Sequence, residues 1–465
     1  MNLLLILLIV VCPLFSQTYW QNIRLTYSAE YNGEPSMALN GTQVGIAYEG
    51  YNFGNDEILL LVSNDNGATF SPPIRVSNND SASWKPKITA TSTGFDIVWE
   101  DNRTGKREVY YARYSSGTMG PTLKISSGNV YSAFPAITAN GNDIYCVWED
   151  FRDGNDEIYL RKYVSGVWSP EKRLTTDDST SWGADIARDP VTGTLHVVWF
   201  DYRTGNDEIY IISSNDDGTT WSSPRNLSND AANSWEPRIA AYNNRIDVTW
   251  YSWRSDFVSY EVWYAGFNGE TWTVPEIVSD PYADSKCPSI SSDALGTIIA
   301  WEDYCQGNDE IYAAYKRHDS TTWGNKRITN NDADSYGADC AANATNLLFT
   351  WFDYRDTIDQ IYFTKGLITD MTSIEQERVS HQKPAITIGP NPSNNLISVK
   401  IAGQHAAGTI ELYDCRGALH HRYSCTAQSL AESVLWDTSR LPSGMYVVKI
   451  LLGKTVWTRH VALVR

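Results

Sequence analysis

The chain has 465 residues, with 37 Lys and Arg against 55 Asp and Glu, for a formal charge of -18. That balance excludes a general nucleic-acid binder, whose phosphate contacts need a concentrated basic face. Hydrophobic residues make up 42% of the chain and include 28 Tyr and 18 Trp, which supports a sizeable core and argues against wholesale disorder.

The first sixteen residues carry no charged side chain, and Leu3 to Val11 is an unbroken apolar run. That run is too short to span a bilayer, which takes about 20 residues. Pro13 and the small Ser16 follow, so residues 1–16 read as an export signal cleaved before Gln17. No later stretch is long and apolar enough to predict a transmembrane segment. The six cysteines after the signal show no C-x-x-C pair and no Cys/His cluster, so neither a dense disulfide framework nor a zinc site is expected.

One string then recurs through the chain. It reads W-E-D-N-R-T-G-K-R-E-V-Y from Trp99 and W-E-D-F-R-D-G-N-D-E-I-Y from Trp148. Close copies start at Trp199 and Trp301, and weaker ones at Tyr48, Trp250 and Trp351. The seven anchors lie 49 to 51 residues apart, which means one supersecondary unit per repeat. Each unit offers four short segments rich in Val, Ile, Tyr and Trp, separated by Gly, Asn, Asp and Ser. In the fourth unit they are 184–187, 195–199, 208–213 and 225–227. The seventh unit has only three, and residues 22–26 (N-I-R-L-T) look like the fourth segment K-R-L-T at 172–175. The expectation is an all-β, seven-bladed β-propeller over residues 17–366, with one blade closed by strands from both ends. Six blades are the alternative.

Between third and fourth segments lie S-N-D-N-G-A-T-F (Ser63, Asp65, Gly67, Phe70) and S-N-D-D-G-T-T-W (Ser214, Asp216, Gly218, Trp221). Both fit S-x-D-x-G-x-T-[WF] and resemble the Asp box, or BNR repeat, of sialidases and related secreted propellers. Asp65 and Asp216 are expected to accept backbone N–H groups, the glycines to relieve the turn, and Phe70 and Trp221 to pack inward. In that family the box lies away from the active site, so the resemblance implies fold. Sialidases also resemble one another in an arginine–isoleucine–proline tripeptide that is missing here. The arginines present (Arg103, Arg152, Arg203, Arg254, Arg355) occupy one repeated slot. The Asp-x-Arg pairs therefore read as supports of the fold, and an enzyme is not the leading reading.

Alternating strand direction puts the fourth-to-first and second-to-third loops on one face, with the Asp boxes on the other. The first set presents Trp84, Trp182, Trp235 and Tyr336, the second the E-D-x-R-x-G-N-D-E strings. Rings beside carboxylates and amides suit glycan binding, because rings cover sugar C–H faces while polar groups take hydroxyls. The competing reading is that the rings wedge between blades. Departures from the repeat are more informative, and the fifth unit departs most, which singles out Trp235, Trp253, Arg254 and Asp256. Glu100, Glu149 and Glu302 are the carboxylates from which a glycosidase pair could be drawn. The acidic G-N-D-E loops hold oxygen ligands of the type calcium takes, but the 12-residue pattern ending in Glu is missing. Solvated turns are the simpler reading, and no cofactor is expected. In the sixth unit Cys305 replaces the arginine near Cys287, and a disulfide staple between them is expected.

Composition changes after Gly366. Residues 367–384 read as a linker, and residues 385–465 as a small β-sandwich. The motifs G-P-N-P-S at 389–393, I-E-L-Y-D-C-R-G at 410–417 and D-T-S-R-L-P-S-G-M-Y at 437–446 resemble the type IX secretion sorting domain of Bacteroidetes-type bacteria. The resemblance implies passage through the outer-membrane secretion machinery of a Gram-negative cell, with surface attachment or release. The function expected is binding of an extracellular glycan or protein. A glycoside hydrolase or lyase and an adhesive surface platform are the rivals.

Overall fold

The computed structural model describes residues 20–128, 130–254, 259–280, 283–304, 307–372, 385–389, 393, 396–402, 408–414, 417–425, 433–452 and 455–464. The expected signal, Asp256, Cys305 and the side chain of Arg254 lie outside the described residues.

Residues 20–372 form seven antiparallel sheets. The first consists of Asn32–Asn40, Gln43–Gly50, Glu57–Ser63 and Ile74–Arg75, each hydrogen-bonded to the next. The fourth consists of Ser181–Arg188, Leu195–Asp201, Glu208–Ser214 and Arg225–Asn226, so the segments read from the repeat extend by a few residues. The last sheet takes its fourth strand from the other end of the chain: Ile23–Arg24 pairs with Gln360–Leu367, in the register Ile23 to Phe363 and Arg24 to Tyr362. Each inner strand packs against the inner strand of the next sheet, and Ser335–Ala342 packs against Asn32–Asn40, so the sheets close a ring. In the closed ring the inner edge of each sheet faces the central cavity, which shields it from pairing with another chain.

The core lies between the sheets. Seven hydrophobic clusters fill the spaces between successive sheets, each drawing residues from two neighbours. The repeat anchors Trp99, Trp148, Trp199, Trp250, Trp301 and Trp351 are fully buried, as is Tyr48 in the first sheet. Removing such a side chain from water contributes about 3 kcal/mol, which explains why the anchor recurs in every unit.

The first compact unit runs past residue 366, where a linker was expected. Its last strand reaches Leu367 and continues into a short helix, Ile368–Thr372. Ile368 and Met371 bury themselves against the last two sheets, and Trp20 donates its indole N–H to Asp370 Oδ2 at 2.9 Å. Two apolar residues at helical spacing were enough to extend the unit.

The second compact unit, Gln376–Arg465, holds two antiparallel sheets. One is Ala385–Gly389, Leu396–Ala402 and Ser433–Asp437; the other is Leu419–Cys425, Gly408–Asp414, Gly444–Leu452 and Thr455–Leu463. Ile397, Val399 and Trp436 from the first share one core with Leu412, Val448 and Ile450 from the second.

Candidate ligand-binding cavity

The inner strands surround a cavity of about 1160 Å³. Its wall is shaped by a bulge that the repeat did not reveal. In all seven inner strands the register shifts near the third residue, as between Trp84 and Lys87 or between Trp235 and Arg238. The bulged residue has a positive φ every time, including Glu34 at 50°, Lys85 at 52°, Phe134 at 49°, Glu236 at 47° and Cys287 at 51°. Only Gly183 and Gly337 are glycines, so the others hold a conformation that side chains disfavour by about 1 kcal/mol or more. A sequence signal did exist. Pro35, Pro86, Pro135, Pro237 and Pro288 follow the bulged residue, and proline inside a strand is confined to edges and bulges.

The bulge turns a backbone N–H toward the preceding sheet, where the glutamate after the anchor accepts it. Glu49 takes Lys85 N–H at 2.6 Å, Glu100 takes Phe134 at 2.9 Å, Glu149 takes Gly183 at 2.5 Å and Glu302 takes Gly337 at 2.7 Å. Burial pushes these carboxyls up, Glu49 and Glu302 to about 7 and Glu149 to about 8, even though the accepted N–H pulls the other way. Three of the four carboxylates are those from which a glycosidase pair could have been drawn. Each already holds two sheets together.

The rest of the acidic string is engaged too, which corrects its reading as solvated turns. The aspartate after the glutamate accepts three donors. Asp150 takes Trp148 Nε1–H at 3.0 Å, Ser132 Oγ–H at 2.9 Å and the fork of Arg152 at 2.6 Å. Asp101, Asp201 and Asp353 repeat the arrangement with Arg103, Arg203 and Arg355. Each arginine then lies over a tyrosine ring, as Arg152 does over Tyr159 at 4.3 Å. Burial alone would raise Asp150, but the Arg152 fork, with Trp148 and Ser132, outweighs it and holds the carboxyl below its ordinary range. In G-N-D-E the asparagine ties down loop carbonyls: Asn308 donates to Asn331 O at 3.1 Å and Ala333 O at 2.8 Å. The glutamate pairs with a fourth-strand cation, as Glu310 does with Arg327 at 2.7 Å. Among the described residues no group of three or more His, Cys, Asp or Glu is placed to hold a metal.

The Asp of the same string anchors the aromatic wedge of the next sheet. Trp84 donates its indole N–H to Asp56 at 3.0 Å, Trp182 to Asp156 at 3.1 Å and Trp235 to Asp207 at 2.8 Å. These rings are half-buried, and Trp182 and Trp235 also line the cavity. Tyr336 packs against Phe352 with the rings tilted and their centroids 5.6 Å apart. On the opposite face, Ser63 Oγ accepts Gly67 N–H at 2.8 Å, and Asp65 accepts Thr69 N–H at 2.8 Å. Ser214, Asp216, Gly218 and Thr220 repeat that turn, and Trp221 donates to Gly218 O at 3.2 Å. Phe70 meets Phe363 edge-on at 5.2 Å.

Three sheets break the glutamate pattern, with Phe200, Tyr251 and Phe352 in its place. All three line the cavity. The fifth sheet gathers the most rings: Trp235 lies 5.7 Å from Tyr251 and 6.0 Å from Tyr260, and Tyr260 lies 4.9 Å from Trp253. Trp253 is exposed. Trp182 and Phe200 of the fourth sheet, 5.6 Å apart, continue the aromatic wall. Lys87, Glu236 and Arg238 line the same cavity, and among the described residues none has an ion-pair partner within 4 Å. Arg238 donates only to Pro237 O, at 3.0 Å. Burial and the nearby Arg238 hold Lys87 below its ordinary range. Cys287 occupies the bulge of the sixth sheet and faces this cavity as a free thiol, while Cys305, its expected partner, lies outside the described residues. Burial pushes that thiol up.

Residues 387–463 match the family model of the secretion system C-terminal sorting domain. A search of curated proteins finds no match. Among solved structures, the chain is similar to the polysaccharide lyase Uly1 at 10% identity and a TM-score of 0.50, over 72% of this chain and 90% of that one. It is similar to the Hadza microbial sialidase Hz136 at 13% identity and a TM-score of 0.42, over 73% of this chain and 66% of the sialidase. The Trypanosoma rangeli sialidase in complex with 2,3-difluorosialic acid aligns at 10% identity and a TM-score of 0.43, over 92% and 83%. The likeness to Uly1 is one of fold, and the second unit matches a secretion sorting tail. Among the described residues no helix is long and apolar enough to cross a membrane.

Proposed function

We propose that the chain is exported and delivered to the cell surface or the medium, where a seven-bladed propeller binds an extracellular glycan in its central cavity. The sorting tail supports a route through the type IX machinery of a Bacteroidetes-type Gram-negative cell, with residues 385–465 forming a sandwich read by that machinery. Seven sheets, seven interleaved clusters and an N-terminal closing strand support the blade count. The turns at Ser63–Phe70 and Ser214–Trp221 are its Asp boxes.

One observation carries the reading of the cavity. Its wall is asymmetric: Trp182, Phe200, Trp235, Tyr251 and Tyr260 concentrate in the fourth and fifth sheets. Lys87 and Arg238, which lie near Asp185 and Asp339 without a carboxylate within 4 Å of either cation among the described residues, are placed with Glu236 to take hydroxyls or a charged sugar substituent. A purely structural ring would repeat the same contacts in every sheet. Trp253, Arg254 and Asp256 belong to the same departure from the repeat and extend the proposed site.

A glycan array probed with the mature chain, beside Trp235→Ala and Glu236→Gln, tests the reading. Retention of a glycan by the wild type and its loss by at least about tenfold in either variant, with an unchanged unfolding midpoint for Glu236→Gln, is the expected outcome. Retention of protein ligands alone, or equal binding by both variants, defeats it. Release of reducing sugar from a retained glycan would move the assignment to a hydrolase, and release of an unsaturated sugar to a lyase.

A further inference from the structure

The residue three places after each anchor varies in identity but not in character. It is Tyr51, Phe151, Tyr202, Trp253, Tyr304 and Tyr354 in six sheets and Asn102 in the second. All six rings are exposed, by 36% for Trp253 and by 43–52% for the others. Single exposed apolar side chains are ordinary and need no explanation. Six at one repeat position on one face are a pattern. Among the described residues of 20–372, the other exposed aromatics, Tyr27, Phe53, Tyr131 and Phe134, also fall in loops or strand starts on that face. Among the described residues the opposite face, with the 63–70 and 214–221 turns, exposes large aliphatics such as Val167, Val191 and Val274 but no large aromatic.

These rings have no evident structural duty. Apart from Trp253 against Tyr260, none of the six makes a ring contact or a side-chain hydrogen bond among the described residues. Their backbones are nonetheless held. The N–H groups of Tyr51, Phe151, Trp253 and Tyr354 donate to Tyr31, Tyr131, Asn233 and Asp334 carbonyls at 3.0–3.2 Å. Four of the six rings therefore stand on a backbone held by this bond, beside polar loops rich in Asn, Asp, Thr and Gly.

We propose that this crown is a second glycan surface, which engages a polysaccharide chain running across the face into the cavity. The proposal rests on the glycan reading of the cavity and adds that the ligand is polymeric. Rings isolated among polar groups suit the alternating apolar faces and hydroxyls of successive sugars. A protein interface would instead need a contiguous, water-excluding apolar centre. Trp253 joins the two surfaces, because it belongs to the crown and touches Tyr260 of the cavity wall.

The test uses the mature chain on surfaces bearing immobilised bacterial, algal, plant and animal polysaccharides, each beside its own fragments of two to four sugars. The variants are a combined Tyr202→Ser, Tyr304→Ser and Tyr354→Ser chain, and Glu236→Gln. The expected result is a polymer bound at least about tenfold more tightly than its fragments, with that advantage lost in the triple variant. Fragment binding should be unchanged in the triple variant and weakened in Glu236→Gln, and the unfolding midpoint of the triple variant should match the wild type. Fragments bound as tightly as polymer, or a triple variant that keeps the polymer advantage, overturns the crown and leaves the cavity reading standing. Absence of glycan binding altogether, or capture of proteins alone, overturns both.

Discussion

The third and fifth sheets share one backbone and differ in what their side chains are free to do. In the third, Asp150 gathers Trp148, Ser132 and Arg152, while Glu149 reaches the next sheet at Gly183. In the fifth, Ser252 stands where the aspartate would be, and Trp250 and Ser234 bond to its hydroxyl at 3.1 and 2.8 Å. Tyr251 replaces the glutamate and turns into the cavity with Trp235 and Tyr260. The same geometry is thus held by a charged network in one sheet and a neutral one in the other. The lesson is that the acid-rich strings are mostly structural, and that a position becomes available for a ligand where the repeat lapses.

The largest effect should come from breaking the charged network. Asp150→Ala leaves the buried indole and Ser132 Oγ–H without their acceptor and Arg152 with Glu171 as its remaining carboxylate, and should cost about 3 kcal/mol in denaturant unfolding. Ser252→Ala, at the equivalent place, removes neutral hydrogen bonds and should cost only about 1 kcal/mol. Equal losses would mean that the two networks are not alternative solutions to one problem.

A second difference lies in pH. Glu149 is raised from 4.5 to about 8 by burial, so its proton is bound more tightly in the folded chain. Its contribution is complete below pH 4.5 and is lost as pH rises through about 8. Glu49 and Glu302, raised to about 7, act in the same direction. Asp101, Asp150 and Asp353 are held below their ordinary range, so their effect appears only in more acidic solution. The unfolding midpoint should therefore fall between pH 5 and 8. Glu149→Gln, which keeps a carbonyl acceptor for Gly183, should make that slope shallower; an unchanged slope would show that Glu149 titrates normally.

The smallest effect concerns the sixth sheet, where Cys287 is another departure facing the cavity. Cys287→Ser should shift stability by less than about 1 kcal/mol, because Cys287 stands as a free thiol. A non-reducing peptide map should recover this residue as a free thiol. Recovery in a disulfide would instead assign Cys287 to a staple.

Much of the architecture was legible because it is periodic. Anchors 49 to 51 residues apart, four strand-like segments per unit and a missing fourth segment at the end led to the sheets and to the pairing of Ile23–Arg24 with Gln360–Leu367. The tail was equally legible, because its motifs are specific and close together, and residues 387–463 match the sorting-domain model. The site was less so. Trp235 and Trp253 could be singled out as departures, whereas Tyr260, Lys87 and Arg238 lie at repeat positions that look ordinary in one dimension. The crown does not stand out in the repeat because its position varies between Tyr, Phe and Trp, which share chemistry but not identity.

The sequence by itself determined the repeat, the strand content and the buried anchors, since a period and an alternating pattern are properties of the chain alone. The tertiary structure decided how the -18 charge is used. Read along the chain, the acidic strings resemble solvated loops. In the closed ring, the bulge brings a backbone N–H from one sheet to a glutamate of the sheet before it, about 35 residues earlier in the chain. Hydrogen bonding depends on distances of about 3 Å that no spacing in sequence encodes, so only the closed ring separates carboxylates that hold sheets together from side chains left free to meet a ligand.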